Sequence, residues 1–394
     1  MSQAKKIADW LETHWVTPAY SGWLLGGLTL FFFMAATNTL AGWLYVISGI
    51  SFALLAIAAI LPERVLNQLK VQRQPIYPVS VGDPLTIELL IENPGKQPKT
   101  LLQVQDMLPY VLGQPVTQAI ETIAPGSTYH WSYSHPTQRR GVYRWQTVQL
   151  RTAAPLGLFW CRRAQTAKAV ASVYPAVLPL TQCPLVDEMG RDLSLQLNSD
   201  RRAQSATEGL TRSVRPYRWG DPIRLIHWRT SARYGELRVR ELEIFTGGQE
   251  LVICLDSAFA WLKQGDGLDS ASFEQAVVAA ASLYFYACQQ HLQVRLWTAG
   301  TGLVSNDQAV LEALAATQPG EDVRAESLPT VPLIWLTQNP TSLNTLPAGS
   351  RWIFWTEDRG KSQEDSALLM QQAGLLIQPE EPLQLQLQQP LSPV

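Results

Sequence analysis

The chain has 394 residues, room for two or three domains, and a formal net charge of -2, which leaves no global pull toward nucleic acid. Charged residues make up 16% of it and tryptophans number 14, so it is poorer in charge than ordinary soluble domains and points to contact with a membrane. The cysteines, Cys161, Cys183, Cys254 and Cys288, are far apart and form no CxxC pair. That spacing argues against a metal centre or a disulfide framework, and for buried thiols in a reducing compartment.

Residues 1–19 read as an N-terminal segment in which Ile7, Trp10, Leu11 and His14 share one helical face, as in a short helix lying on a membrane. Two uncharged runs follow, Tyr20 to Thr37 and Leu40 to Leu61, with only Asn38 and Thr39 between them. A bilayer-crossing helix needs about 20 such residues, so 20–62 is expected to be a transmembrane helical hairpin. Lys5 and Lys6 precede it, Arg64, Lys70 and Arg73 follow it, and its connection carries no charge. The positive-inside rule then puts both ends and the bulk of the chain in the cytoplasm, at the inner (plasma) membrane. Trp10, Trp15, Tyr20 and Trp23 suit the near interface, and Trp43 and Tyr45 the far one. A cleaved signal peptide fits poorly, because a long polar stretch comes first and a second span follows at once.

Residues 71–182 change character. Runs such as "VSVGDPLTIELLIENPGKQ" and "GVYRWQTVQLRT" alternate apolar and polar side chains, with a turn at Asn93-Pro94-Gly95. This pattern predicts an antiparallel β-sandwich. His130 and His135 flank Trp131 and Tyr133 without any carboxylate or cysteine spacing, so surface or turn roles are expected for them. Residues 183–214, including the polar stretch Val186 to Leu210, read as a linker.

Residues 215–378 combine an arginine-rich stretch with alternating strand and helix signals. Leu251 to Asp256 reads as a buried parallel strand, and "SASFEQAVVAAASLYFYACQQ" as a helix capped by Ser270 or Ser272. "QVRLWTA", "VPLIWLT", "RWIFWTE" and "LLIQ" read as strands, and "NDQAVLEALAAT" and "SQEDSALLMQQAG" as helices. The expected result is an α/β doubly wound domain, with ligands beyond the carboxyl ends of its strands, where Asp256 lies. Neither GxGxxG nor GxxxxGK[ST] occurs, which removes support for a nucleotide cofactor. The tail, 379–394, is expected to be loose.

"RPYRWGDPIRLIHWRTSARYGELRVRELE" packs seven arginines around Asp221, Trp219, Trp228 and His227. Asp221 reads as an N-cap with Pro222 at N1, opening a helix to Tyr234 that Gly235 ends at C′. Arg224, Trp228 and Ser231 then share a face, and Leu237 to Glu243 follows as a strand. Four roles compete. Nucleic-acid binding is opposed by Glu236, Glu241 and Glu243. Acid–base catalysis by Asp221 and His227 is opposed by their six-residue spacing, which separates their faces, and no nucleophile is evident. A partner surface suits the Arg and Trp content. A buried Arg–carboxylate and Arg–Trp network is the favoured reading.

Arg215, Tyr217, Gly220, Asp221, Arg224, Ile226, Trp228, Ser231, Ala232 and Arg233 match the pattern R-x-Y-x-x-G-D-x-x-R-x-I-x-W-x-x-S-A-R of the domain of unknown function 58 family, which the chain resembles. "RRGVYRW" and "PLGLF" resemble two further segments of that family, although Ala154 stands where an Asp is common. The resemblance implies a membrane-anchored protein with a von Willebrand factor A-like domain, linked to MoxR-type AAA+ ATPases and transglutaminase-like proteins, and names no reaction. Metal-binding domains of the von Willebrand type carry Asp-x-Ser-x-Ser; here Asp256 is followed by Ser257, Ala258, Phe259 and Ala260. Thr337, Gln338 and Asn339 stand where a second Asp is usual. Asp256 is thus expected to be the remnant of a degenerate metal site, with no catalytic, cofactor or metal residues assigned. The expected function is a membrane-anchored, cytoplasm-facing scaffold or adaptor that acts with a MoxR-type ATPase in protein assembly or maturation. The alternative is an envelope-associated hydrolase or transferase with a site near Asp256.

Overall fold

The computed structural model describes residues 10–192, 211–218, 221, 226–242, 250–261, 270–324, 328–329, 331–356, 373–378 and 381–391. The chain divides into two units, Met1–Tyr174 and Pro175–Val394.

In the first unit, helices α1 (Tyr20–Thr39) and α2 (Gly42–Leu66) form an antiparallel hairpin, each long and apolar enough to cross a membrane. Leu24, Leu30, Phe31, Ile50 and Phe52 are exposed along it, whereas a core helix would bury such side chains. The sequence places the reversal at Asn38 and Thr39, but α1 runs through both and turns at Leu40, whose φ is 50°. The hydroxyls of Thr37 and Thr39 donate to the carbonyls of Met34 and Ala35, each at 2.7 Å, so these polar residues stay in the helix instead of ending it. Helix α2 also outruns the expected end near Leu61. It continues through Pro62 because Val65 and Leu66 pack into the core of the strand domain.

That domain has two sheets. One orders β2 (Lys70–Arg73), β4 (Pro84–Glu92) and β7 (Thr128–Pro136). The other contains β1 (Thr17–Pro18), β3 (Val79–Ser80), β5 (Lys99–Asp106), β6 (Val116–Ile123), β8 (Gly141–Thr152) and β9 (Phe159–Tyr174), in the order β1-β9-β8-β5-β6 with β3 on β9. All pairings but β3 with β9 are antiparallel. Every second residue of β4, Leu85, Ile87, Leu89 and Ile91, is buried, as the period of two demands. Leu89 and Ile91 meet Leu102, Val104, Val148 and Leu150 of the second sheet in one core. The expected turn after β4 holds, with Asn93 fully buried and its amide donating to the carbonyls of Gln97 and Ile123.

In the second unit, part of the expected linker is structured. Residues 184–192 are helical, and Leu185, Val186 and Met189 are buried in the main core, because the apolar residues of this stretch recur at helical spacing. The central sheet orders β14 (Gly302–Val304), β13 (Gln293–Thr298), β12 (Glu250–Leu255), β15 (Leu333–Thr337), β16 (Arg351–Trp355) and β17 (Gly374–Ile377), parallel except for β14. Leu251, Ile253 and Leu255 face one core, and Val252 and Cys254 face another with Trp297, Trp335 and Trp352, so β12 is buried on both sides. The helix before β13, Ala271–Gln289, is capped by Ser270, whose hydroxyl accepts from the Phe273 N–H at 3.3 Å. The helix Asp307–Ala316 follows β14. The expected helix "SQEDSALLMQQAG" falls almost wholly outside the described residues. The tail, expected to be loose, forms the helix Leu383–Leu387 over buried Leu387 and Gln386. The Gln386 amide accepts from Gln378 N–H and donates to the carbonyls of Gln378 and Glu381, which holds the tail. All four cysteines are free, but only Cys161, Cys183 and Cys254 are fully buried; Cys288 is half-buried.

One polar cluster joins the two sheets of the first unit. The Asp106 carboxylate, fully buried, accepts from both terminal nitrogens of Arg73 at 2.5 and 2.9 Å, from Tyr133 Oη at 2.6 Å and from Trp145 Nε1 at 3.1 Å. Burial, with Asp106 second, pushes the Tyr133 hydroxyl well above its ordinary pKa, so it remains a donor. Removing the carboxylate would strand the buried Arg73 guanidinium. Asp106→Ala is therefore expected to cost the first unit about 3–5 kcal/mol in denaturant unfolding of the detergent-solubilised chain. A loss below about 1 kcal/mol would show that the cluster is not what joins the sheets.

Candidate functional site

The arginine motif folds as a small module. Strands β10 (Thr211–Pro216) and β11 (Arg238–Leu242) pair antiparallel, with Arg215 opposite Val239. Tyr217 extends the pairing through its N–H to the Leu237 carbonyl at 2.8 Å. Ile226 bridges to Val239, and His227 N–H donates to the Arg238 carbonyl at 2.8 Å. These bonds hold Ile226 and His227 extended against β11, so the helix starts at Trp228, not at Pro222, and runs to Tyr234. Its N-cap is His227, whose Nδ1 accepts from Thr230 N at 3.2 Å and is in contact with the Thr230 hydroxyl. The expected Asp221 cap is thereby corrected. The expected stop is found, with Gly235 at φ 74°. Gly220, Pro222 and Arg224 lie outside the described residues.

Asp221 instead closes a turn. Its carboxylate accepts from Arg215 Nη1 and Nη2 at 2.8 and 2.7 Å, and from Arg218 N–H at 2.8 Å. The Arg215 hydrogen bonds, then that of Arg218, hold its pKa below the ordinary carboxylate range. Ser231 is buried and knits helix to strand: its Oγ donates to the His227 carbonyl at 3.1 Å and accepts from Arg238 N–H at 2.9 Å. Trp228 does not share that buried face, being 64% exposed. Tyr234, 59% exposed, lies under the Arg238 guanidinium at 4.2 Å, and Arg238 also pairs with Glu236 at 2.7 Å. Arg229, Ala232 and Arg233 face solvent. The motif thus has an inner set, Arg215, Asp221, Ile226, His227 and Ser231, spent on its own fold. Its outer set is Trp228, Arg229, Arg233 and Tyr234.

A second cluster lies at the carboxyl edge of the parallel sheet. Asp256 follows β12, and its Oδ2 accepts from Thr337 Oγ1, at the end of neighbouring β15, at 2.6 Å. Thr337 Oγ1 accepts in turn from Asn339 N–H at 2.9 Å. Ser257, which the sequence passes over as a spacer, is fully buried and its Oγ accepts from Ala299 N–H at 2.9 Å, tying β12 to the end of β13. Trp261 Nε1 donates to the Asp256 carbonyl at 2.7 Å, with its ring against Phe273 and Trp355. Burial raises the Asp256 pKa above its ordinary value, opposed by the bonds from Thr337 and from the Phe259 backbone. Among the described residues no cation pairs with Asp256, and no three His, Cys, Asp or Glu side chains converge. Elsewhere, His130 is exposed, as expected, whereas His135 is half-buried within β7 and bonds the Leu112 carbonyl instead of lying in a turn.

Residues 213–308 match the family model described as "Protein of unknown function DUF58". That span takes in the described parts of the motif from Ser213, β12 and Asp256. No curated protein matches the chain significantly. Among solved structures, a CARDB domain from Pyrococcus furiosus is 16% identical over 27% of this chain and 94% of its own, with a TM-score of 0.19. Red sea bream transglutaminase is 18% identical over 28% of this chain and 15% of its own, with a TM-score of 0.19. A β-glucosidase from Listeria innocua is 13% identical over 25% of this chain and 16% of its own, with a TM-score of 0.15.

Two outcomes follow from this geometry. Asp221→Ala should lower the melting temperature of the full chain, because it frees the Arg215 and Arg218 donors that close the turn. An unchanged melting temperature with a lost activity would give Asp221 a chemical role. For Asp256 the raised pKa means that the folded state holds its proton more tightly than the unfolded chain. The stability it contributes is full below the ordinary carboxylate pKa and is lost as pH rises through the raised one. Asp256→Asn should therefore melt no lower than the native chain at neutral pH, and fall behind it as the pH drops into the ordinary carboxylate range. A native chain that outlasts the variant only at neutral pH would reverse this assignment.

Proposed function

We propose that the chain is a membrane-anchored scaffold, held by the α1–α2 hairpin with both ends in the cytoplasm, whose arginine motif docks a protein partner. The observation that carries this reading is the division within the motif. Its carboxylate, histidine and serine are engaged in folding the module, while a tryptophan, a tyrosine and two arginines are left in solvent. Arg, Trp and Tyr are the residue types that dominate binding hot spots. Basic residues on both flanks of the hairpin and none in its turn support the cytoplasmic orientation. The parallel sheet with Asp256 at its carboxyl edge supports a von Willebrand factor A-like second unit. Through the resemblance to the domain of unknown function 58 family, the partner is a MoxR-type AAA+ ATPase, and the work is assembly or maturation of other proteins.

The test is capture of the tagged full chain from native membranes, compared with a Trp228→Ala, Arg233→Glu variant. An AAA+ ATPase should accompany the native chain and fall by at least about tenfold with the variant, the loss expected when a hot-spot residue is removed. Equal recovery from both would overturn the docking role of this face. A second reading, an envelope-associated hydrolase or transferase, is favoured by the buried carboxyl of Asp256 at the sheet edge, whose pKa burial raises. It requires a hydrolytic or transfer activity of the purified chain that Asp256→Asn abolishes.

A further inference from the structure

The "PLGLF" turn, residues 155–159, has no role in the reading above, yet it grips the foot of the hairpin. Strand β1 pairs with the start of β9, Thr17 opposite Trp160 and Pro18 opposite Phe159, and leads directly into α1. The turn's carbonyls then cap that helix: Leu158 O accepts from Ala19 N–H at 2.8 Å, and Gly157 O from the Ser21 hydroxyl at 2.7 Å. Gly22 is required here, since a Cβ would lie 2.2 Å from the Leu158 oxygen. The segment before β1 is pinned as well. Glu12, buried, pairs with Arg151 at 2.5 Å and Arg162 at 3.2 Å, and Arg163 donates to the carbonyl of Thr13 at 2.9 Å and pairs with Glu63 of α2 at 3.0 Å.

Distance decides what this end of the domain touches. Leu66, in the sandwich core, is five residues beyond Leu61, the last of the apolar run, a rise of about 7.5 Å along α2. The polar headgroup layer is roughly 5–8 Å deep on each side of the hydrocarbon. A hairpin that spans the bilayer therefore leaves no gap between lipid and sandwich. The side chains at this end suit such a position: Leu156 at the tip of the turn is 44% exposed and Trp15 is 73% exposed, with Tyr20 and Trp23 open beside them. Arg64 and Lys70, both exposed, supply cations at the same level for lipid phosphates.

We propose that the "PLGLF" turn and Trp15 form a lipid-contact surface, seated in the headgroup layer of a phospholipid bilayer, that lays the β-domain against the membrane. The inference rests on the spanning reading of the hairpin, and its test separates the two. An environment-sensitive fluorophore is attached at Leu156→Cys in the full chain, with Cys288 replaced by Ser, and the chain is reconstituted in phosphatidylcholine vesicles carrying brominated acyl chains. Phe31→Cys, within α1, reports the span. Gln138→Cys, exposed at the opposite end of the 12-residue β8 and thus about 40 Å from the turn, reports the distal end. The expected result is a blue-shifted Leu156 label that loses emission to shallow bromines, a Phe31 label that loses it to deep ones, and an unaffected Gln138 label. A quenched Phe31 label beside an unquenched Leu156 label would overturn the lipid surface and leave the spanning hairpin standing. An unquenched Phe31 label would overturn both. Trp15→Cys, on a different segment, repeats the measurement and should follow Leu156.

Discussion

The first unit depends on one buried charge. Asp106 is fully buried, so its carboxylate must be met by donors from the protein, and these come from both sheets: Arg73 and Tyr133 from one, Trp145 from the other. The pair with Arg73 is bidentate, and the guanidinium also lies over the Trp145 ring at 5.1 Å. Arg73 ends β2, which begins four residues after α2. Closing the sandwich around Asp106 therefore also fixes where the second helix leaves the domain. The hairpin gains a defined exit from the packing of the β-domain, not from a linker.

In the second unit, polar chemistry is spent in two ways. The motif uses ionic and hydroxyl groups to build a turn and a short helix on a two-stranded ribbon, where none of these elements has a large apolar core of its own. Ile226, Val239 and Ser231 are its buried residues among the described ones. Such a module is stabilised by directed bonds, which accounts for the Arg215–Asp221 pair, while Arg229 and Arg233 stay in solvent. The sheet edge does the reverse. Asp256 is kept in an apolar setting with a hydroxyl and a backbone donor but no described cation, a cost that packing alone gives no reason to bear.

The sequence made the periodic elements legible. Alternation in β4, the continuous apolar run of β12, the Ser270 cap and the Gly235 stop all depend on neighbours within a few residues. The start of the motif helix was not legible, because Asp221 followed by Pro222 is a local cap signal and the bond that overrides it comes from Arg238 across the ribbon. The hairpin turn was misplaced for a similar reason: Asn38 and Thr39 look like breakers, but threonine hydroxyls can be satisfied inside a helix. Arg73 with Asp106, Thr337 with Asp256 and Glu12 with Arg151 are long-range pairs between residues with no local pattern, and only the fold reveals them. The helix at residues 184–192 was hidden in a stretch whose polar composition masked the spaced apolar residues Leu185, Val186 and Met189.

The pairing of Thr17 with Trp160 has a consequence for biosynthesis. The strand that leads into α1 is made before the hairpin, and its partner strand only after the hairpin and most of the sandwich have left the ribosome. Loop closure over so long a separation is slow compared with helix formation. The hairpin is therefore complete before its foot is fastened, and the fastening comes last, when β9 emerges and the Leu158 carbonyl meets Gly22. Hairpin formation and closure of the domain thus have a fixed order in this chain, and under the spanning proposal insertion into the bilayer belongs to the earlier step.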